Sequence, residues 1–401
     1  MAKIGVPQAG DLPRSADIVV IGGGIIGCAT AFYATEARCK TVVLERREGL
    51  ATLTTAASEE CFRAQFNEPE NVDLMLESIS VFETFADVVR LSGYDINLHQ
   101  QGYLFLTGAE SGPDVLKARV EHQRGLGLQD VEFLDADETR GRFPFVGPQV
   151  RAATFRNKDG WLSAHELTYG FAKGSNALFA LRTAATGFRL DGNGVAAVTT
   201  TRGEIATRCV VDAAGPFAGV VAAWAGAQLP LRLLRRQKVV FGSVPSIPTR
   251  APMTIDDDTG VYWRPEVGGV AMGWALPEEP AEPLEAVPTD WTFPAVAIDG
   301  AARLVPLWSQ VAETLTRDNL FLSAGQYTCA PDNKPIIGPC ASVPGLFFNA
   351  AYAGEGIMAS PGGARRLVDL IVGPRSNERN PFRCERFGTG PEVKGIEKMV
   401  I

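Results

Sequence analysis

Histidine is scarce in this chain. Only His99, His122 and His165 occur among 401 residues. The seven cysteines (Cys28, Cys39, Cys61, Cys209, Cys329, Cys340 and Cys384) are scattered and odd in number, and no pair has metal-ligand spacing. That composition argues against a zinc or iron–sulfur site and fits reduced thiols. A basic excess is also lacking. The net charge of −8 sets aside a nucleic-acid binder. Arg232, Arg235, Arg236 and Lys238 form a local basic cluster, readable as a solvated edge or as an anion site. No apolar run approaches the ~20 residues that a membrane helix needs. The first sixteen residues lack an apolar signal-peptide core. The expectation is therefore a cytoplasmic protein with no membrane span. The length allows two domains with cores of their own.

What the sequence does have is glycine in particular places. Asp17 to Ile21 is a Val/Ile-rich run of the kind that forms a buried parallel strand. Gly22-Gly23-Gly24-Ile25-Ile26-Gly27 then matches G-x-G-x-x-G, and an apolar-periodic helix follows over 25–37. The first glycine permits the tight turn, and the second permits close approach of a pyrophosphate. The third lets helix and strand pack closely, while the helix N-terminus offers free N–H groups and a positive dipole end. "KTVVLERR", residues 40–47, reads as the next strand and places Glu45 where a ribose-binding carboxylate belongs. A dinucleotide site is expected. The motif alone does not choose between NAD and FAD, because both carry ADP.

Helices are expected over 71–91, 113–126 and 295–315, and a strand over 102–107. Ser163 and Glu166 have the spacing of a capping box. Residues 184–219 read as a β-meander turning at Asp191-Gly192-Asn193-Gly194 and ending on a buried strand at 209–213. The Pro-rich segment 277–294 reads as a surface loop. A second glycine-rich turn, "AYAGEGIM" at 351–358, opens another helix near the C-terminus.

Taken in order, several blocks resemble the D-amino-acid-oxidase superfamily of FAD enzymes, on its sarcosine oxidase, glycine oxidase and proline dehydrogenase side. They are the N-terminal glycine motif with Glu45-Arg46, "TTAASEECFRAQF" (54–66), "GYLFL" (102–106), "VVDAAGPFAG" (210–219), "VYWRPEVGG" (261–269), "APDNKPIIGP" (330–339) and "AYAGEGIM". The resemblance spans nearly the whole chain. It implies an α/β (α+β overall) fold: a Rossmann-type FAD-binding domain interrupted by a substrate domain with a large mixed or antiparallel sheet. The expected division is 13–90, 146–228 and 318–375 for the FAD-binding domain, 91–145 and 229–317 for the substrate domain, and 376–401 for a C-terminal tail.

The resemblance also implies site residues. Gly22, Gly24, Ile25, Ile26, Gly27, Glu45 and Arg46 would hold the ADP half of FAD, with Ala185 on the adenine side. Thr54, Thr55 and Ser58 would lie near the pyrophosphate and ring edge, and Ala214 and Gly215 near the cofactor. Gly354, Gly356, Ile357 and Met358 would approach the flavin, the helix dipole favouring negative charge on the reduced ring. Arg63 and Arg264 are candidate clamps for a substrate carboxylate. Tyr262 would form a pocket wall beside Arg264, Tyr327 would cover one flavin face, and Glu355 stands where relatives carry histidine.

Other departures bear on chemistry. Met358 replaces a carboxylate-binding lysine, and Ala271 an oxygen-activating one. Gly325 replaces the cysteine that tethers flavin in some relatives, so non-covalent FAD is expected. Glu59-Glu60-Cys61-Phe62 replaces small glycines, and a carboxylate there could bind an ammonium or tune a proton, or lie in a solvated turn. The implied activity is oxidation of a C–N bond in an amino acid or secondary amine by hydride transfer to flavin N5. Electrons would pass to O₂, a quinone or a partner protein. A 2-hydroxy-acid oxidoreductase, the flavin subunit of a hetero-oligomeric dehydrogenase and a non-catalytic flavin-binding module are the alternatives.

Overall fold

The computed structural model describes residues 2–8, 10–373 and 375–387. Two sheets organise the fold. The first has seven strands in the order Lys3–Gly5, Leu178–Ala180, Thr41–Leu44, Ile18–Ile21, Val210–Asp212, Leu346–Ala350, Ile336–Pro339. All neighbours are parallel except the last pair. Its central strands are buried along their whole length, as continuous Val/Ile runs require when helices cover both faces. On one face pack the helices Ile25–Glu36, Pro69–Glu83, Ala164–Gly174 and Gly356–Val372. The other face carries the antiparallel meander Ala185–Asp191, Gly194–Thr200, Gly203–Ala206.

The phosphate helix Ile25–Glu36 sits hard against its strand. A Cβ at Gly27 would fall 1.9 Å from the Gly22 carbonyl oxygen, so only glycine permits this crossing. Gly22 itself adopts φ +112°, and a Cβ there would meet the Ala213 carbonyl at 2.4 Å.

The second sheet has eight strands in the order Leu320–Cys329, Arg232–Phe241, Gly269–Trp274, Val261–Glu266, Met253–Asp256, Tyr103–Thr107, Ala152–Arg156, Glu132–Asp135. Only the pairing of Met253–Asp256 with Tyr103–Thr107 is parallel. Strand alternation gives it two unlike faces. Leu104, Val239, Phe241, Trp263 and Met272 pack outward under the helices Phe293–Ala302 and Leu307–Ala312. Tyr103, Phe105, Met253, Ile255 and Tyr262 form a separate cluster with Cys61 and Trp161 on the opposite face.

Several expected boundaries shift. Ala152–Arg156 and Leu320–Cys329 fall inside segments assigned to the FAD-binding domain, yet both pair into the second sheet. Their partners lie far away in sequence, and local pattern carries no information on pairing. The helix expected over 71–91 breaks after Glu83, where Thr84 leaves helical geometry and a second, one-turn helix, Phe85–Val88, follows. The helix expected over 295–315 divides into Phe293–Ala302 and Leu307–Ala312 around Pro306. Ser163 accepts the Glu166 N–H at 3.2 Å, but the Glu166 carboxylate turns to the Tyr94 hydroxyl at 2.8 Å, so half of the capping box forms.

The expected tail is also partly structural. Phe382 is fully buried against the helical core, and its carbonyl accepts the Ile337 N–H at 2.9 Å. Arg386 grips Asp332 through Nε (2.8 Å) and Nη2 (3.0 Å). The remainder, 388–401, lies outside the described residues. Phe382→Ala should therefore lower stability by about 3–5 kcal/mol in chemical denaturation. An unchanged denaturation midpoint would show that this segment is not part of the core.

Candidate functional site

Two adjoining cavities open where the sheets meet. The first, of about 230 Å³, is lined by the glycine turn, Glu45, Arg46, Arg47, Ala185, Ala214 and a hydrophobic end at Phe217, Val220 and Trp224. The second, of about 120 Å³, shares Gly24, Thr54, Thr55, Ala213 and Gly215 with the first. It runs on to Ile25, Ile26, Ser58, Arg236, Lys238, Tyr327, Gly354, Gly356 and Ile357. The two glycine-rich helix starts therefore face one continuous space.

The arrangement follows from the parallel strands. Each glycine turn leaves the C-terminal end of a strand of the first sheet, which is where ligands bind in open α/β sheets. The two helices have N-cap residues, Gly24 and Glu355, that make no side-chain capping bond. Their first-turn N–H groups lack intrahelical partners, and Ile25 N donates to Thr55 Oγ1 at 3.2 Å. One carboxylate organises the first turn: Glu45 Oε2 accepts the Gly23 N–H and Oε1 the Arg47 N–H, both at 2.7 Å. Arg46 stacks over the Phe217 ring at 3.8 Å and pairs with Glu285 at 2.5 Å. The Pro-rich segment 277–294 is thus irregular as expected, but its Glu285 is tied to the rim of the first cavity.

A hydrogen-bond chain joins the two helix starts. Tyr352 Oη donates to Asn349 Oδ1 (2.5 Å), Asn349 Nδ2 to Thr30 Oγ1 (2.9 Å), and Thr30 Oγ1 to the Ile26 carbonyl (2.7 Å). Ala351 and Ala353 flank Tyr352 in left-handed conformations (φ 63° and 45°), and both line the second cavity. Non-glycine residues in that region are uncommon and concentrate where surrounding structure enforces them. Asp212, at the end of its strand, is completely buried. Its Oδ1 accepts the Ala214 N–H at 3.1 Å, and burial pushes its carboxyl well above the usual range.

Of the expected cofactor residues, Gly22, Gly24, Ile25, Ile26, Glu45, Arg46, Thr54, Thr55, Ser58, Ala185, Ala214, Gly215, Gly354, Gly356 and Ile357 line one cavity or both. Gly27 does not, because it serves the strand–helix contact. Met358 points into the helical core instead.

The expected catalytic residues are placed differently. Tyr327 lines the second cavity, 5.5 Å beneath the Arg236 guanidinium. Arg264 shares the inner face with Tyr262, but its guanidinium is buried and turned away. It donates to the main-chain oxygens of Glu59 (2.9 Å) and Pro265 (3.1 Å) and pairs with Glu60 (3.2 Å) and Glu266 (2.9 Å). Arg63 is buried too, donating to the Gln65 carbonyl at 2.8 Å with its guanidinium 4.1 Å from the Phe66 ring centre. Tyr262 lies across Gly273, and Glu355 stands at the N-cap position of the C-terminal helix without a side-chain capping bond; neither lines either of these two cavities. Charged groups beneath a sheet find partners of opposite sign, and residue type alone does not disclose them.

Sequence reasoning left the basic cluster unresolved between a solvated edge and an anion site. In "RLLRRQKVVF" the alternation sends Arg236 and Lys238 to the cavity and Val239 and Phe241 to the outer core. That alternation was the available signal. Lys238 Nζ holds the Ser58 carbonyl. Arg236 Nη1 donates to the carbonyls of Arg235 (2.9 Å) and Leu276 (3.1 Å), while its buried Nε has no hydrogen-bond partner among the described residues.

FAD fits this donor set. Helix N-termini and a glycine turn too close for any Cβ suit its diphosphate. The joined second cavity continues beyond the ADP region to a second helix start suited to an electron-rich ring.

Comparisons with known proteins agree. The mouse (Mus musculus) mitochondrial sarcosine dehydrogenase is 26% identical over 95% of this chain, which spans 42% of that protein's length. The sarcosine oxidase subunit beta of Arthrobacter sp. is 26% identical over 94% of this chain and 92% of its own. The crystal structure of L-proline dehydrogenase from P. horikoshii superposes with a TM-score of 0.81 at 25% identity, covering 93% of this chain and 96% of that one. The DAO family, described as FAD dependent oxidoreductase, matches residues 17–370. With a cradle built for FAD and a family match across both sheets, the chain belongs to the DAO family of FAD-dependent oxidoreductases.

Proposed function

We propose that this enzyme oxidises the C–N bond of a small amino acid or secondary amine of the sarcosine, glycine or proline kind. Bound FAD supplies the acceptor for the hydride that leaves the substrate carbon. The observation that carries the reading is Arg236: a cavity-lining guanidinium beside Tyr327, with a buried Nε that no other described residue engages. A carboxylate-bearing substrate would complete that Nε.

In this reading the clamp expected at Arg264 moves to Arg236, on a strand two places away in the sheet. Arg264 instead ties the Glu59–Glu60 segment to the second sheet. Tyr327 forms the apolar wall below the clamp, and the N-terminus of Gly356–Val372 faces the redox end of the site. Lys238 fixes the Ser58 carbonyl and thereby the segment bordering the cavity. Positioning supplies most of the rate in such chemistry, so rigid placement of these groups matters more than any single acid or base. A role as the flavin subunit of a larger assembly is a second reading, favoured by the match to an oxidase beta subunit over 92% of that subunit.

Anaerobic bleaching of the flavin by a panel of N-methyl amino acids, cyclic imino acids, D-amino acids and hydroxy acids tests the substrate class. Air re-oxidation afterwards separates oxidase from dehydrogenase. Bleaching by hydroxy acids alone would overturn the amine reading. Arg236→Lys should lower kcat/KM for a carboxylate substrate by about 1–3 kcal/mol with little change in flavin absorbance, because the planar fork is lost. Arg264→Lys should act on thermal stability instead, since its buried partners would be left incompletely bonded. Equal kinetic losses in the two variants would show that the clamp has been misplaced.

Acid precipitation should release FAD into the supernatant. Gly325 borders the second cavity and Cys329 does not, so colour retained in the pellet would contradict non-covalent binding. Glu45→Gln should weaken FAD binding by about 1–3 kcal/mol, measured by flavin titration. An amide offers one oxygen where the structure uses two. An unchanged FAD affinity would remove Glu45 from the cofactor site.

A further inference from the structure

Glu59 and Glu60 are adjacent, yet the structure treats them differently. Glu60 is fully engaged: Oε1 accepts the Ala164 N–H at 2.9 Å and Oε2 pairs with Arg264 at 3.2 Å. Glu59 is held only by its main chain, whose carbonyl accepts from Arg264 Nε at 2.9 Å and Cys61 Sγ at 3.2 Å. Both Glu59 carboxylate oxygens are shut off from solvent and have no hydrogen-bond partner among the described residues. A buried carboxylate without partners is costly, and in a native fold it calls for an explanation.

Its position supplies one. Ser58, the preceding residue, lines the second cavity. The groups that face Glu59 electrostatically are Lys238 on Arg232–Phe241, and Arg264 and Glu266 on Val261–Glu266, with Glu60 on its own segment. Tyr262, Tyr327 and Cys61 feel its charge in turn. The sheet register puts these on one patch. Lys238 pairs with Gly273 and Gly273 with Tyr262, so a glycine separates the lysine from the tyrosine. The Tyr262 hydroxyl lies over that glycine, where a Cβ would meet it at 2.4 Å. Arg236 precedes Lys238 by two residues on the same strand, beside Tyr327. The second cavity thus has an incompletely bonded cation on its lining, and the segment that borders it at Ser58 carries an unbonded carboxylate on the next residue, Glu59.

We propose that Glu59 receives the amino group of the substrate and takes up its ammonium proton. This rests on the amine-oxidising reading and names the polar group at the other end of the substrate from Arg236. The step balances simply. An N–H bond of the ammonium breaks, an O–H bond forms on Glu59, and the electron pair stays on nitrogen. The buried charge pair becomes a neutral carboxylic acid beside a neutral amine, whose lone pair can then support oxidation at the adjacent carbon. Burial raises the affinity of Glu59 for that proton, while the charges of Lys238 and then Arg264 oppose the rise.

The test uses FAD-loaded wild type and Glu59→Gln, with unchanged flavin absorbance as the check on folding. N-methylglycine, glycine and proline are offered anaerobically, and the fastest reductant is followed as pH is raised through the free amine's titration. Glu59→Gln should slow flavin reduction by about a hundredfold at neutral pH. The rate should recover as the free amine deprotonates by itself. Binding of acetate, which has a carboxylate and no amine, should stay within about twofold, because it does not call on this residue. Glu59→Asp should restore part of the wild-type pH profile. An unaltered profile, or a loss that is the same at every pH and extends to acetate, would overturn the assignment. A wild type that none of the amines reduces would remove the amine reading itself, and this inference with it.

Discussion

The site depends on holding two helix N-termini against one cavity. Each helix start presents N–H groups that its own helix cannot satisfy, and like dipole ends repel. What fixes them together is covalently remote: the Tyr352–Asn349–Thr30–Ile26 chain of hydrogen bonds, all but its last link fully inside the protein. Small residues let the backbones approach. A Cβ at Gly363 would lie 2.1 Å from the Tyr352 hydroxyl, just as one at Gly27 would strike the Gly22 carbonyl. Removing bulk at these points is what allows both helices to aim at the same ligand.

The second sheet contributes through its unlike faces. Its outer face is an ordinary apolar core under two short helices. Its inner face carries tyrosines, arginines and a lysine, and closes over the end of the first sheet. Most of those charges serve architecture: Arg264 with Glu60 and Glu266, and Lys238 with the Ser58 carbonyl. Buried ion pairs of this kind are weak evidence for stability by themselves, but removing one partner is severe. Arg236 Nε and both Glu59 carboxylate oxygens are among the buried polar atoms with no hydrogen-bond partner among the described residues.

Much of this was legible in the primary structure, and unevenly so. The dinucleotide turn could be read because its chemistry is local: a strand, three glycines, a helix and a carboxylate within thirty residues. The meander and its Asp191–Gly194 turn were equally local. The expected clamps were harder to place. Arg264 shares a face with Tyr262, but its partners Glu59 and Glu60 come from a remote segment, and Arg63 turns back on the Gln65 carbonyl of its own segment. Arg236 was visible only as one member of a basic cluster.

The sequence by itself determined the cofactor class, the glycine positions and the strands that carry the site. Steric exclusion at a glycine and periodicity along a strand act over a few residues, so they survive in a one-dimensional record. Tertiary structure alone decided which strands pair, which carboxylate neutralises which guanidinium, and which polar atoms remain for a substrate. Those are questions of desolvation and proximity between segments 204 residues apart, as Arg264 and Glu60 are, or 319, as Asn349 and Thr30 are. Their answer exists only once the chain has closed on itself.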